Sequence, residues 1–140
     1  MMNAKIKAQW EAELLSGDHL QGTGQLHYVE SDGTEYKCCL GVACDMAYRA
    51  GKVTRVLGIG DGDGDGRRTY YYGDVRECAV LPREVMEYLE TEGRNPHVNN
   101  TRLSVWNDGM LAVDDVGKVG GYEVQPQAFV DIAALIHEHM

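Results

Sequence analysis

Gln25-Leu26-His27-Tyr28-Val29, Ser31-Asp32-Gly33-Thr34, Glu35-Tyr36-Lys37-Cys38 and Leu40-Gly41-Val42-Ala43-Cys44-Asp45-Met46-Ala47 follow one another along the chain. The first piece alternates apolar and polar residues well enough for a strand. Asp-Gly is a strong turn signal, and the third piece returns as the partner strand. Beyond the hairpin, Cys39, Ala43, Met46, Ala47 and Ala50 fall at helical spacing, with Gly51 where a C-terminal cap glycine belongs. A hairpin followed at once by an apolar helix predicts a sheet with helices packed on it.

Upstream, Ala4 to Leu15 reads as an amphipathic helix, with Ile6, Trp10 and Leu14 on one stripe. Downstream, Val53 to Ile59 is apolar and β-branched, and pairs in this reading with Thr69-Tyr70-Tyr71-Tyr72 across an Asp-Gly run. Leu81-Pro82 opens a third helix through about Leu89, with Val85, Met86 and Leu89 inward and proline in the first turn. Gly93 to Thr101 reads as loop, Leu103 to Asp108 as a short helical turn, and Leu111 to Val124 as an added hairpin. Phe129, Ile132, Ala133 and Ile136 predict a last helix after Pro126. The sum is an α+β fold in one domain over 1–140. A small antiparallel sheet carries about four helices, including N- and C-terminal amphipathic ones.

Composition bounds the function. The chain has 140 residues, 44% of them apolar, enough for one core. With 13 basic and 22 acidic side chains its net charge is −9, and its nearest approach to a basic run is Arg67-Arg68. General nucleic-acid binding is therefore not expected. No apolar stretch approaches the ~20 residues of a spanning helix, and the N-terminus does not read as a signal peptide, so no membrane is expected and a cytoplasm is. Cys38, Cys39, Cys44 and Cys78 make a poor disulfide framework and contain no Cys-x-x-Cys pair. Packing in a core is favoured over zinc ligation.

Three groups of residues could carry chemistry. Asp61, Asp63 and Asp65, followed by Gly66, fill the first positions of an EF-hand-type calcium loop, but Tyr72 stands where the bidentate glutamate belongs. The competing reading is a solvated acidic hairpin loop, and no cofactor is expected beyond weak calcium. Arg67, Arg68, Tyr70 and Tyr72 combine guanidinium groups with rings, which suits a nucleobase and its phosphates. Tyr70 and Tyr72 would share one strand face, with Tyr71 on the other. Cys39 or Cys44 with a histidine could serve as a nucleophile, although no spacing pairs them.

Several segments resemble a set of small uncharacterised proteins encoded by bacteriophages and prophages. They are Trp10 with Leu14-Leu15-Ser16-Gly17, Gln21-Gly22-Thr23-Gly24, Cys38-Cys39-Leu40-Gly41-Val42-Ala43-Cys44-Asp45, Leu81-Pro82-Arg83-Glu84-Val85, Trp106-Asn107-Asp108 and Phe129-Val130-Asp131-Ile132-Ala133. The resemblance implies a phage setting and a host bacterial cytoplasm. In that context the leading expectation is a non-enzymatic accessory protein, able to homo-oligomerise, that sequesters a small nucleotide-derived immune signal. The second is a protein-binding inhibitor of a host factor acting through its acidic surface.

Overall fold

Ser31-Asp32-Gly33-Thr34 reverses the chain between β1 (His27–Val29) and β2 (Glu35–Lys37). The Glu30 amide donates to the Thr34 carbonyl at 2.9 Å, and the Asp32 carboxylate accepts the Thr34 amide at 2.9 Å. These bonds fix the register, with Tyr28 opposite Tyr36 and Val29 opposite Glu35. The computed structural model describes residues 2–58, 66–91, 93–98, 101–108, 110–113, 119–124 and 127–140, with 98, 101, 105, 106, 110–113 and 119–124 as backbone alone.

The other edge of β1 takes β4 (Arg68–Tyr72), and β4 in turn takes β3 (Arg55–Leu57). The sheet order is β2-β1-β4-β3, antiparallel throughout. Side chains alternate across a strand, so the register assigns faces. His27, Glu35, Arg55, Arg68, Tyr70 and Tyr72 share one face, while Tyr28, Tyr36, Thr69 and Tyr71 share the other.

Helix α2 (Cys39–Arg49) is the centre of the molecule, with eight of its eleven residues buried. It packs against β2, α1 (Ala4–Leu15), α3 (Arg83–Leu89) and α4 (Leu103–Asp108). A helix covered on nearly every side must be apolar nearly all round, which is what the Leu40-to-Ala47 stretch supplies. Gly41 is required by approach: a Cβ there would sit 1.7 Å from the Leu26 carbonyl oxygen. Gly51 closes the helix in the left-handed region at φ +74°, where only glycine is free of strain. Helix α5 (Phe129–His139) lies against α1 and buries Phe129, Ile132, Ala133 and Ile136.

Two short ladders complete the fold. β7 (Met110–Val113) and β8 (Val119–Val124) form the hairpin expected there. The stretch read as loop instead contains β5 (His97–Val98), paired with β6 (Thr101–Arg102). Two residues per strand are too few for any alternation to show. Pro82 stands one place earlier than expected, capping α3 from extended backbone at ψ 158°. The result is a small single-domain α+β fold with an antiparallel sheet, and no helix among the described residues is long and apolar enough to cross a membrane.

Candidate functional site

β1 places His27 on the sheet face that meets α2, where it is fully buried. Its Nε2 lies 2.8 Å from a Glu35 carboxylate oxygen and its Nδ1 lies 2.8 Å from the Tyr72 hydroxyl. A carboxylate only accepts, so Nε2 carries the proton and donates to Glu35. Burial, aided by the Lys37 charge, outweighs Glu35 and pulls the imidazolium pKa down to about 4. The ring is thus neutral at pH 7, and Nδ1 accepts the Tyr72 hydroxyl proton. Burial also pushes the Tyr72 hydroxyl well above its ordinary value. Glu35 is held by a buried donor while its side chain remains half exposed.

The same face continues through cation–ring contacts. Tyr70 stacks on His27 with ring centroids 4.1 Å apart. The Arg55 guanidinium lies 4.6 Å from the Tyr70 centroid and 4.0 Å from that of Tyr48, and its charge interacts with the Tyr72 hydroxyl. Arg55 also reaches Asp45 at 3.4 Å. Asp45 pairs with Arg49 at 2.9 Å, Arg49 with Glu13 at 2.6 Å, and Glu13 with His19 at 2.7 Å. Burial would raise the Glu13 carboxyl, but His19 and Arg49 hold it below its ordinary value. Glu13, His19 and Asp45 are the one group among the described residues whose ligand atoms could share a metal, within 4.8 Å of each other. Arg49 already supplies the cation for both carboxylates.

The sequence-selected residues separate. Arg68, Tyr70 and Tyr72 share the His27 face, running from exposed through half-buried to buried. Tyr72 is wholly core, so its ring is spent on packing. Tyr70 is already engaged by His27 and Arg55. Arg67 has its guanidinium 4.4 Å over the ring of Tyr28, which belongs to the other face, and an ion pair to Glu30 at 2.8 Å. Arg68 is exposed, its Nε donating to the Gly58 carbonyl at 3.3 Å. Asp61, Asp63 and Asp65 lie outside the described residues. Sequence reading offers His27 only as one of five histidines, with His19, His97, His137 and His139, that could serve a thiol as base, and it selects neither Glu35 nor Arg55. Hairpin register was the available signal, since it puts His27 and Glu35 two positions apart on one face.

The three buried thiols are not poised for attack. Cys38, Cys39 and Cys44 are buried, and burial pushes Cys38 up to about 12 and raises the other two well above their usual value. Such thiols behave as small hydrophobes.

A second polar cluster is structural. Asn107, 1% exposed, accepts from the Cys39 amide at 3.2 Å and the Gln21 amide nitrogen at 3.0 Å, and donates to the Gly22 carbonyl at 2.8 Å. Trp10 donates its indole N–H to the Cys39 carbonyl at 3.0 Å. The Trp10, Gln21-Gly22, Cys38-Cys39 and Asn107-Asp108 blocks therefore meet at one junction. A family profile matches residues 2–140, almost the whole chain. The chain belongs to DUF8296, a domain of unknown function. No curated protein and no solved structure matches it. In this DUF8296 domain Asn107 is bonded on both its amide atoms by backbone groups and by the Gln21 and Asp108 side chains, whereas the Glu35–Arg68 side of the sheet leaves polar groups open to solvent.

Proposed function

We propose that the chain is a non-catalytic binding protein that sequesters a small nucleotide-derived signal in a reducing bacterial cytoplasm. The phage counter-defence setting comes from the sequence resemblance and is part of the proposal. One observation carries it. Glu35 and Arg68 both stand in register with Val29, on either side of β1. Two strand spacings put their backbones ~10 Å apart on one face. Glu35, fixed by buried His27, offers acceptor oxygens to base N–H groups. Arg68 matches a phosphate bidentately, with Val29 between the two and Tyr70 two positions along β4 on the same face. Lys37 and Arg55 share this face and offset, locally, the −9 charge of the chain.

The test is a thermal-shift panel of cyclic dinucleotides and ADP-ribose-type nucleotides. At least one should raise the wild-type midpoint by several degrees. Arg68→Ala and Glu35→Gln should abolish that rise, and Arg67→Ala, on the opposite face, should keep it. No shift with any member of the panel, or a shift lost only with Arg67→Ala, overturns the reading.

A further inference from the structure

The seam between α1 and α5 opens outward into a groove of about 340 Å3. Leu15, Val130, Ala133 and Ala134 give it an apolar lining, and Glu11, His137 and Glu138 give it polar groups. Leu15 is 57% exposed and Val130 58%. On α5 the lining positions recur at Val130, Ala133-Ala134 and His137-Glu138, a single stripe about 12 Å long, or roughly two helical turns. Alanines at its middle leave room for the side chains of another helix. This is the shape that accepts a helix through anchors three or four residues apart.

We propose that this groove docks a basic amphipathic helix from a partner protein. The inference is independent of the sheet-face reading, since it rests on different helices and a different class of ligand. Charge identifies the occupant. Glu138, two-thirds exposed beside the groove, stands 3.7 Å from His139 at the end of the helix, Asp131 is exposed on the same helix, and Glu11 adds a third carboxylate. The nearby cation Lys7 is drawn to the end of α5, where its Nζ donates to the His137 carbonyl at 3.2 Å. His137 pairs with Glu11 at 2.9 Å. A second copy of this chain would bring the same carboxylates against each other, in a molecule already at −9. A lysine- or arginine-flanked apolar stripe satisfies the lining and the rim together.

The probe is a fluorescein-labelled synthetic helix of leucine and lysine at amphipathic spacing, followed by fluorescence anisotropy against the full chain. Saturable one-to-one binding that weakens with added salt is expected. Val130→Asp and Leu15→Asp should each weaken it by about tenfold or more. Both positions are exposed, so thermal melts should confirm that the variants fold. Val56→Asp, at a 48% exposed site on the sheet, should leave affinity unchanged. The sign is diagnostic, because an added carboxylate strengthens mere charge adsorption and weakens groove docking. Equal or tighter binding by the groove variants overturns the proposal. So does equal binding of a scrambled, non-amphipathic peptide of the same composition. A dimer in native mass spectra that Leu15→Asp abolishes would assign the groove to a second copy and likewise overturn it.

Discussion

His27 is a histidine whose surroundings oppose its charge. The folded chain takes up the imidazole proton only near pH 4, whereas the ordinary value is 6.5. Folded molecules therefore bind fewer protons than unfolded ones between these limits. The stability is present above pH 6.5 and is lost as pH falls from 6.5 toward 4, by up to about 1.4 kcal/mol per unit. The Glu13 carboxyl, held below its ordinary 4.5, adds its own loss only further into acid. Urea unfolding between pH 6.5 and 4.5 should show a fall of about 2 to 3 kcal/mol in the wild type. His27→Gln starts lower, because Tyr72 and Glu35 lose their partner, and its profile in this window should be flatter. Parallel profiles for the two proteins would remove His27 as the cause.

Helix α2 ties residue choice to architecture through a single close approach. Gly41 lies so near the Leu26 carbonyl that any Cβ collides with backbone, and that backbone is itself pinned. The Leu26 oxygen accepts the Cys38 amide at 3.1 Å and the Leu26 amide donates to Cys78 at 2.7 Å. Gly41→Ala should cost about 3 kcal/mol or more, although alanine is the better helix former by about 1 kcal/mol. Chemical denaturation would measure it, and a neutral or stabilising result would contradict the packing described. The elements themselves were largely legible. Asp32-Gly33 announces its hairpin, and the 3.6-residue stripes announce α1, α2 and α5. What periodicity cannot supply is which sheet face meets a helix. Period-two alternation puts Tyr70 and Tyr72 on one face, as the register does, yet Tyr72 points into the core and anchors His27. Partnerships across the sheet, such as Arg55 with Tyr70 and Tyr72, depend on strand order, which no local pattern carries. Glu35 became identifiable as part of the site only once the register placed it beside His27.

Across the whole molecule, the two ends of the chain hold the core shut together. α1 and α5 are joined by their mutual packing, with Lys7 bonded to the last turn of α5 and Glu11 to His137. Phe129, Ile132 and Ile136 are buried, and each such side chain contributes about 1.5–3 kcal/mol. Their combined burial, roughly 5–9 kcal/mol, is of the same order as the whole stability of a small domain, about 5–15 kcal/mol. Removal of α5 would also uncover core residues that it now shields. A chain ending at Ala128 should therefore lose its cooperative thermal transition and bind a hydrophobic dye, and not simply melt a few degrees earlier. Ile136→Ala, which keeps the helix, should retain a single transition weakened by about 2–5 kcal/mol. If the truncated chain still melts cooperatively near the wild-type midpoint, α5 is an appendage on a core that closes without it. If both variants behave as expected, α5 is part of the one cooperative unit, and a helix docked in the groove beside it would stabilise the whole domain by mass action.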